Sequence, residues 1–255
     1  WKQEKVRPMS PAEIAAPRPK FSAAWADLRR VPDAMRLMVV VALGALGFNM
    51  QDVLLEPYGG EILGLSVGAT TLLTASSALG ALVGFWLAAR WLGRGMDPFR
   101  MAARGPLTGI AALSCVIFSA PVGSPALFYL GAVGIGLGGG LFAVATLTAA
   151  MNLPEYGLAG RGLVLGAWGA AQATAAGSAV AIGGLLRDGI GHLAMSGDLG
   201  AALATPAAGY SFVYHFEIGL LFVTLAVLGP LVRTRILTRQ PDHGSARIGL
   251  AEFPT

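Results

Sequence analysis

The sequence predicts an all-α integral membrane protein with six transmembrane helices. Of its 255 residues, 55% are hydrophobic and only 13% are charged, whereas charged residues make up about 25% of a typical soluble domain. A helix needs about 20 apolar residues to cross a bilayer. Six apolar runs of about this length lie at roughly 35–56, 66–92, 102–120, 125–150, 162–186 and 212–232.

The positions of the basic residues predict the orientation of these helices. Of the 18 Lys and Arg residues, 17 fall in segments on one side of the predicted membrane and only Arg187 falls on the other. Because Lys and Arg accumulate in cytoplasmic segments, both ends of the chain are expected to be cytoplasmic. The net charge of +4 then reflects topology and contact with anionic membrane lipid. No basic soluble surface of the kind that binds nucleic acid is present.

The apolar runs divide the chain into three parts. We predict a cytoplasmic linker at residues 1–33, a six-helix transmembrane domain at 34–236 and a flexible cytoplasmic tail at 237–255. Within the linker, Phe21, Trp25 and Leu28 have the spacing of a short interfacial amphipathic helix. Ser22 could cap that helix.

The chain begins at Trp1 and shows no signal peptide, because its first apolar run starts only near Met35. We therefore expect it to be a piece of a larger membrane protein.

The first apolar run ends in a cluster of polar side chains. Asn49, Asp52 and Glu56 recur at i, i+3 and i+7, so they share one face of a helix. Gln51 lies about a quarter turn from Asp52, and Glu61 follows near the expected non-cytoplasmic surface. Ionisable groups at membrane depth cost at least ~2.5 kcal/mol each, so this stripe should face a partner helix or a wet cavity. Its candidate roles are proton coupling, substrate binding, ligation of the metal centre of a bound pigment, or a polar cap that fixes helix ends.

Two further polar residues are candidates for the same chemistry. Gln172 lies deep in the fifth run, where it can bond to a neighbouring helix or contribute to a polar pocket. His215 lies near the start of the sixth run. Its imidazole is either an axial ligand for the metal of a tetrapyrrole or a solvated interfacial side chain.

The fourth and fifth runs are rich in glycine. Small residues four apart let helix backbones approach closely, which predicts helix packing at these positions. A flat wall against a planar ligand and a flexing helix are the alternatives. The predicted packing residues are Gly134, Gly136, Gly138, Gly140, Gly169 and Gly177.

The sequence gives little support for an enzyme. It contains no nucleophile–base pair, phosphate-binding loop or His-Glu-x-x-His helix. Cys115 is the lone cysteine, so it can form neither an intrachain disulfide nor, with three scattered His residues, a zinc cluster. No metal site made by protein side chains alone is predicted.

Three segments together resemble one known family. Residues Met50–Glu61, Leu65–Ala75 and Gly166–Gly177 closely resemble motifs of the PucC family, which includes LhaA, and the resemblance runs from Trp1 to about Ile236. The family is a branch of the major facilitator superfamily in phototrophic bacteria. Its members assist the assembly of light-harvesting complexes and bind or deliver (bacterio)chlorophyll.

The resemblance implies that the six helices form the C-terminal half of a twelve-helix major facilitator fold in the bacterial inner membrane. It implies (bacterio)chlorophyll as a ligand, with carotenoid or lipid as further candidates. The implied partners are the missing N-terminal half, light-harvesting polypeptides, chlorophyll synthase and reaction-centre assembly proteins.

A cytoplasmic loop motif of the superfamily is partly retained in Gly84, Arg90, Gly93 and Arg94, but Ala89 replaces its usual acidic residue. The loss of that acid argues against the gating salt bridge of an active transporter.

The sequence therefore favours an assembly factor that hands (bacterio)chlorophyll to nascent antenna polypeptides. A proton-coupled secondary transporter and a permanent structural subunit of a photosynthetic complex are the alternatives.

Overall fold

The computed structural model describes residues 20–154, 157 and 160–238, with side chains up to Arg233 in the last helix. Most of the predicted linker and the tail from residue 239 therefore lie outside the described residues. The described part is helical, with short 3-10 turns at Met50–Val53 and Ala201–Leu203. Its helices are α1 (Phe21–Leu28), α2 (Ala34–Asn49), α3 (Leu55–Glu61), α4 (Val67–Leu92), α5 (Pro98–Val122), α6 (Pro125–Met151), α7 (Arg161–Met195) and α8 (Ala207–Thr238).

Six helical segments among the described residues are long and apolar enough to cross a membrane. The first comprises α2, the 3-10 turn and α3, and the others are α4 to α8. All six predicted runs therefore correspond to helices of spanning length. The fifth spanning helix, α7, continues to Met195, beyond its predicted end near residue 186. Arg187 therefore lies in a helix and not in a loop.

Local side-chain chemistry explains where three of the helices begin. The Ser66 hydroxyl accepts a hydrogen bond from the Ala69 N–H at the start of α4, and the Asp97 carboxylate accepts from the Phe99 and Arg100 N–H groups at the start of α5. Ser124 does the same for the Leu127 N–H of α6. Such residues satisfy backbone donors that the first turn of a helix leaves unpaired.

The short helix before the membrane domain is present, but its cap was predicted wrongly. Helix α1 starts at Phe21 after Lys20, and no side chain caps it. Leu28 is buried, whereas Phe21 is largely exposed and stacks on Trp25 with ring centroids 6.0 Å apart. The three residues therefore do not share one buried face.

Helix α6 is the centre of the packing, with α4 on one side and α5 on the other. A methyl group added at Gly136 would lie 1.9 Å from the Ser77 carbonyl oxygen of α4, and one at Gly138 would lie 2.8 Å from the Gly105 carbonyl oxygen of α5. Gly134 and Gly140 likewise lie against Ala112 and Ala81. The predicted packing role of these four glycines is confirmed, because only a hydrogen side chain permits such close backbone contact.

Helices α2, α7 and α8 form the second group of packed helices, with α2 against both others. Gly169 and Gly177 of α7 make no such contact with the described helices, so their predicted packing role stays a prediction. No atom outside their own helix lies within 4 Å of a methyl group added at either position. The reason is that α7 turns a different face to α2, on which Val164, Ala175, Ala179 and Gly183 are buried.

Candidate functional site

The first spanning segment is interrupted within the membrane domain. Helix α2 ends at Asn49, the chain makes a 3-10 turn, and α3 begins at Leu55. The sequence predicted one helix to about residue 56, followed by a stop at Pro57. Instead, Pro57 lies in the first turn of α3, where its missing N–H costs no helical hydrogen bond.

Two amide side chains cap the carbonyl groups released by this break. The Asn49 amide nitrogen donates to the Ala45 carbonyl oxygen, and the Gln51 amide nitrogen donates to the Phe48 carbonyl oxygen. A carbonyl oxygen can only accept, so these bonds fix which end of each amide is nitrogen. The second N–H of Gln51 is directed at Asp52 Oδ1, 3.4 Å away, so its oxygen is the end left for other partners. Asn49 keeps one N–H as well as its oxygen.

These residues border an oxygen-lined pocket of about 200 Å³ between α2, the 3-10 turn, α4, α6 and α7. Its polar lining residues are Asn49, Gln51, Asp52, Ser77 and Gln172, and Gly136, Gly139 and Gly140 line it from α6. An adjoining cavity of about 340 Å³ shares Asp52 and Ser77 and adds Glu56 and Thr74. Four predicted site residues thus meet at one pocket, namely Asn49, Gln51, Asp52 and Gln172. A fifth, Glu56, lines the adjoining cavity.

Three observations describe the polarity of the pocket. The Oε1 atoms of Gln51 and Gln172 are buried and have no hydrogen-bond partner among the described residues. The Asp52 side chain is exposed to the cavities, and its nearest donor, the Gln51 amide, is 3.4 Å from its Oδ1. Among the described residues, no Lys, Arg or His lines either cavity. The pocket presents the acceptor oxygens of Gln51, Gln172 and Asp52 together with amide and hydroxyl donors, and no described cation.

The pocket lies near the middle of the membrane domain. Ser77, Gly136 and Gln172 are ten or eleven residues from the starts of α4, α6 and α7, which corresponds to about 15–17 Å along each helix. That distance is about half of the ~30 Å hydrocarbon thickness of a bilayer. Polar side chains at this depth are costly unless they find partners, so the pocket is the candidate functional site.

Glu217 of α8 is a functional candidate that the sequence interpretation did not select. Its side chain is fully buried, and its Oε1 accepts a hydrogen bond of 2.8 Å from the Gln51 backbone N–H. This bond holds the 3-10 turn against α8, while Oε2 has no partner among the described residues. An ionisable residue inside the sixth apolar run was the available signal.

Glu61 lies away from the pocket, in a polar cluster at the far end of α3. Arg187 Nη2 donates to Glu61 Oε2 at 2.9 Å, and the Tyr210 hydroxyl donates to the same oxygen at 2.8 Å. The guanidinium also lies over the Tyr210 ring, 4.5 Å from its centroid. Below it, Tyr58 packs against Phe128, Tyr210 and Tyr214 with ring centroids 5.4–5.5 Å apart. These contacts join α3, α7 and α8, so Glu61 contributes to the packing of these helices.

His215 also lies outside both cavities. Its side chain is exposed on α8, and its Nδ1 is 2.7 Å from the Ser211 carbonyl oxygen. The sequence placed it among the pocket candidates, but the structure does not bring it to Asp52 or Gln172.

The residues of the predicted loop motif lie partly in a helix. Gly84 and Arg90 belong to α4, and Gly93 and Arg94 form the turn that follows. Gly84 is a packing glycine, because a methyl group there would lie 2.6 Å from the Leu137 carbonyl oxygen. Arg90 lies over the Trp86 ring at 5.4 Å. Gly84 and Arg90 thus lie within the predicted apolar run 66–92, and the role implied by the motif stays a prediction.

A second, apolar groove of about 790 Å³ lies between α1, α2 and α7. Phe21 and Trp25 form one wall, and small α7 residues such as Gly166, Ala170 and Ala175 form the other. Its volume falls within the ~300–1,000 Å³ typical of pockets for small molecules and cofactors. Its lining suits a hydrocarbon chain.

The fold has the features of a multi-pass helical membrane protein, with a polar pocket among its helices. A family model described as "PUCC protein" matches residues 1–236, and the chain belongs to the PucC family. No solved structure matches the chain.

Several curated proteins of purple bacteria are similar to the chain. It is 57% identical over its whole length to "Uncharacterized protein in puhA-bchM intergenic region" of Rhodobacter capsulatus, of which it covers 53%. It is 43% identical over 94% of its length to "Protein PucC" of Cereibacter sphaeroides, of which it covers 50%. It is 30% identical over 85% of its length to "Bacteriochlorophyll synthase 44.5 kDa chain" of Rhodobacter capsulatus and covers 48% of that protein. The chain thus spans about half the length of these relatives.

Proposed function

We propose that the chain is part of a membrane assembly factor for photosynthetic light-harvesting complexes, which binds (bacterio)chlorophyll and delivers it to nascent antenna polypeptides. The observation that carries this proposal is the oxygen-lined pocket at mid-membrane depth in a PucC-family chain. The PucC family is linked to the assembly of photosynthetic complexes. The name of one relative, a bacteriochlorophyll synthase chain, also refers to this pigment.

The pocket offers oxygen atoms of the kind that magnesium prefers as ligands. These are the Asp52 carboxylate and two buried amide oxygens without partners among the described residues. Its volume of about 200 Å³ lies below the ~300–1,000 Å³ typical of cofactor pockets, so the pocket by itself does not enclose a tetrapyrrole ring. The apolar groove beside α1 is wide enough for a hydrocarbon tail, and carotenoid and lipid are further candidates for it. When bound, the pigment would supply a light-absorbing ring, and the oxygen atoms of Asp52, Gln51 and Gln172 would be available to its metal.

The partners of the whole protein belong to the same proposal. Because the relatives are about twice as long as this chain, we infer that a second six-helix half completes a twelve-helix major facilitator fold. Light-harvesting polypeptides would receive the pigment, and chlorophyll synthase or reaction-centre assembly proteins would act beside it in the bacterial inner membrane. The protein acts as a chaperone and not as an enzyme.

An absorption spectrum of the full-length protein, purified from pigment-producing cells in mild detergent, tests the proposal. We expect tetrapyrrole bands and light-harvesting polypeptides to copurify with it, whereas the same preparation from cells that make no pigment should be colourless. Absence of both pigment and antenna polypeptides from the first preparation would overturn the assignment.

A proton-coupled secondary transporter is the second candidate, favoured by two carboxylates inside the membrane domain, Asp52 and Glu217. It predicts that Asp52→Asn, which cannot carry a titrating proton, abolishes uptake by a folded protein in proteoliposomes. Wild-type protein without pH-dependent uptake would exclude this function.

A permanent structural subunit is a third candidate. It predicts stoichiometric retention of the protein in mature light-harvesting complexes, which quantitative mass spectrometry measures. An assembly factor is expected in these complexes only in substoichiometric amounts.

A further inference from the structure

A second, basic cavity lies at the end of the membrane domain where α4 leads into α5. Both helices are of spanning length, and residues 93–97 connect them. The ends of spanning helices meet the headgroup region of a bilayer, so the cavity is expected at headgroup level. Its volume is about 360 Å³, and it is lined by Trp91, Arg94, Gly95, Met96, Asp97, Arg100 and Arg104. We call it the arginine pocket.

Three arginines and one aspartate give the arginine pocket a net charge of +2. The Asp97 carboxylate accepts hydrogen bonds from the Phe99 and Arg100 backbone N–H groups. Among the described residues, no ion pair joins an acid to Arg94, Arg100 or Arg104. Arg100 and Arg104 are four residues apart on α5, and like charges at this spacing repel each other. An anion bound between the arginines would remove this repulsion.

The arginine side chains are suited to an oxygen-rich anion. Arg104 lies over the Trp91 ring, 5.1 Å from its centroid, so the guanidinium is held against the end of α4 before any ligand binds. Arg94 and Arg100 are exposed at the same cavity. A guanidinium is planar, and its N–H groups match two oxygen atoms of a phosphate. The pocket therefore offers donors from α5 and from the preceding turn to one phosphate group.

The surface that continues from the arginine pocket into the membrane domain favours a lipid over a free ion. Arg100, Arg104 and Leu107 recur at i, i+4 and i+7 and share one exposed face of α5. The exposed face continues through Ala111 to Phe118, which is 59% exposed. From Arg104 to Phe118 this stripe is about 21 Å long, more than the ~15 Å of hydrocarbon in one leaflet. A phospholipid can use both the arginines and the apolar stripe, whereas a phosphate ion uses only the arginines.

We propose that the arginine pocket binds the headgroup of an anionic phospholipid, with its phosphate between Arg94, Arg100 and Arg104 and an acyl chain along the exposed face of α5. A pocket of net positive charge repels the quaternary amine of a zwitterionic headgroup such as phosphatidylcholine. Lipids of net negative charge are therefore preferred. The turn lies on the predicted cytoplasmic side, where basic residues meet the anionic lipids of the membrane surface. This site is separate from the polar pocket and does not depend on pigment binding.

The test measures lipid binding to the full-length protein by native mass spectrometry. Protein stripped of lipid in detergent is titrated with phosphatidylglycerol and, separately, with phosphatidylcholine. For wild type we expect at least about tenfold tighter binding of phosphatidylglycerol, equivalent to ~1.4 kcal/mol. Arg100→Gln combined with Arg104→Gln should reduce this preference to about twofold or less. Inorganic phosphate should displace the lipid no better than chloride at the same ionic strength, because the acyl chain also contributes to binding.

Arg29→Gln combined with Arg36→Gln is the matched control. It removes the same charge on the same predicted side of the membrane, and both arginines are exposed and lie outside the arginine pocket. This variant should keep the wild-type preference.

Equal wild-type affinity for the two lipids, or the same loss of preference in the control, would overturn the inference. Selective displacement by inorganic phosphate would indicate a site for free phosphate and would overturn the assignment to a lipid. Should the double variant at Arg100 and Arg104 fail to fold, Arg94→Gln tests the same site from the turn. It should reduce the preference by about threefold, and an unchanged preference there would contradict the proposal.

Discussion

At the scale of single residues, the hydrogen bond between Glu217 and the Gln51 backbone determines the position of the helix break. It joins residues 166 positions apart in the chain, and both partners are fully buried. The bond supplies an acceptor for a backbone N–H of the turn that has left the regular α-helical pattern. Loss of that acceptor would leave a polar group unpaired in an apolar interior.

We predict that Glu217→Leu destabilises the folded protein by about 1–3 kcal/mol, the usual cost of a buried donor without an acceptor. Glu217→Gln keeps an oxygen at the same position and should remain close to wild type. The measurement is the temperature at which half of the purified protein loses its monodisperse elution profile in detergent. Equal loss in both variants would show that the charge of Glu217, and not its role as an acceptor, matters.

At the scale of elements, α6 is held between α4 and α5 by backbone contacts at glycine. Gly80 and Gly84 of α4 lie opposite Gly136 and Gly140 of α6. A methyl group added at any of the four positions would lie within 2.6 Å of a carbonyl oxygen of the other helix. The helices therefore touch along their backbones. The glycine contacts also set the position of the pocket, which Gly136 and Gly140 help to line.

We predict that Gly136→Ala destabilises the domain by on the order of 1–3 kcal/mol, because the added methyl group must push α4 and α6 apart. Gly219→Ala in α8 is the matched control, since open space surrounds that position among the described residues. Alanine should change stability there by no more than ~1 kcal/mol, in the favourable direction, through its higher helix propensity. Thermal unfolding in the same detergent measures both. A larger loss at Gly219 than at Gly136 would contradict this packing scheme.

At the scale of the whole molecule, α7 and α4 are the least buried of the six spanning segments. Gly166, Ala170 and Gly177 are exposed on α7, and Leu79, Leu82 and Trp86 are exposed on α4. We expect the second half of a longer protein to cover part of this surface, because the chain spans about half of its relatives.

We predict that both ends of the chain and the α4–α5 turn face the cytoplasm, from the bias in Lys and Arg. The measurement is cysteine labelling in intact cells, with Cys115 replaced by Ala and one new cysteine introduced. Gly123→Cys, between α5 and α6, should react with a membrane-impermeant reagent from outside. Gly95→Cys, between α4 and α5, should react only after the cells are opened. The reverse pattern would contradict the charge-derived orientation.

The sequence by itself determined the number of spanning helices and their approximate limits, since length and hydropathy are local properties. It also located the polar stripe of Asn49, Asp52 and Glu56, because carboxylates stand out in an apolar run. The packing glycines of α6 could be predicted from their four-residue spacing. At Gly169 and Gly177 the same spacing meets no neighbour among the described residues, since spacing shows that a helix can pack closely but not which face meets which neighbour.

Only the tertiary structure decided which of the candidate residues meet. The helix break at Met50–Val53 depends on an acceptor, Glu217, that lies on the last helix. Gln172 joins Asp52 at one pocket, whereas Glu61 pairs with Arg187 and His215 remains outside. Contacts between distant segments depend on how whole helices pack, and that packing is fixed by the combined shape of many side chains. No local pattern in the sequence contains that information.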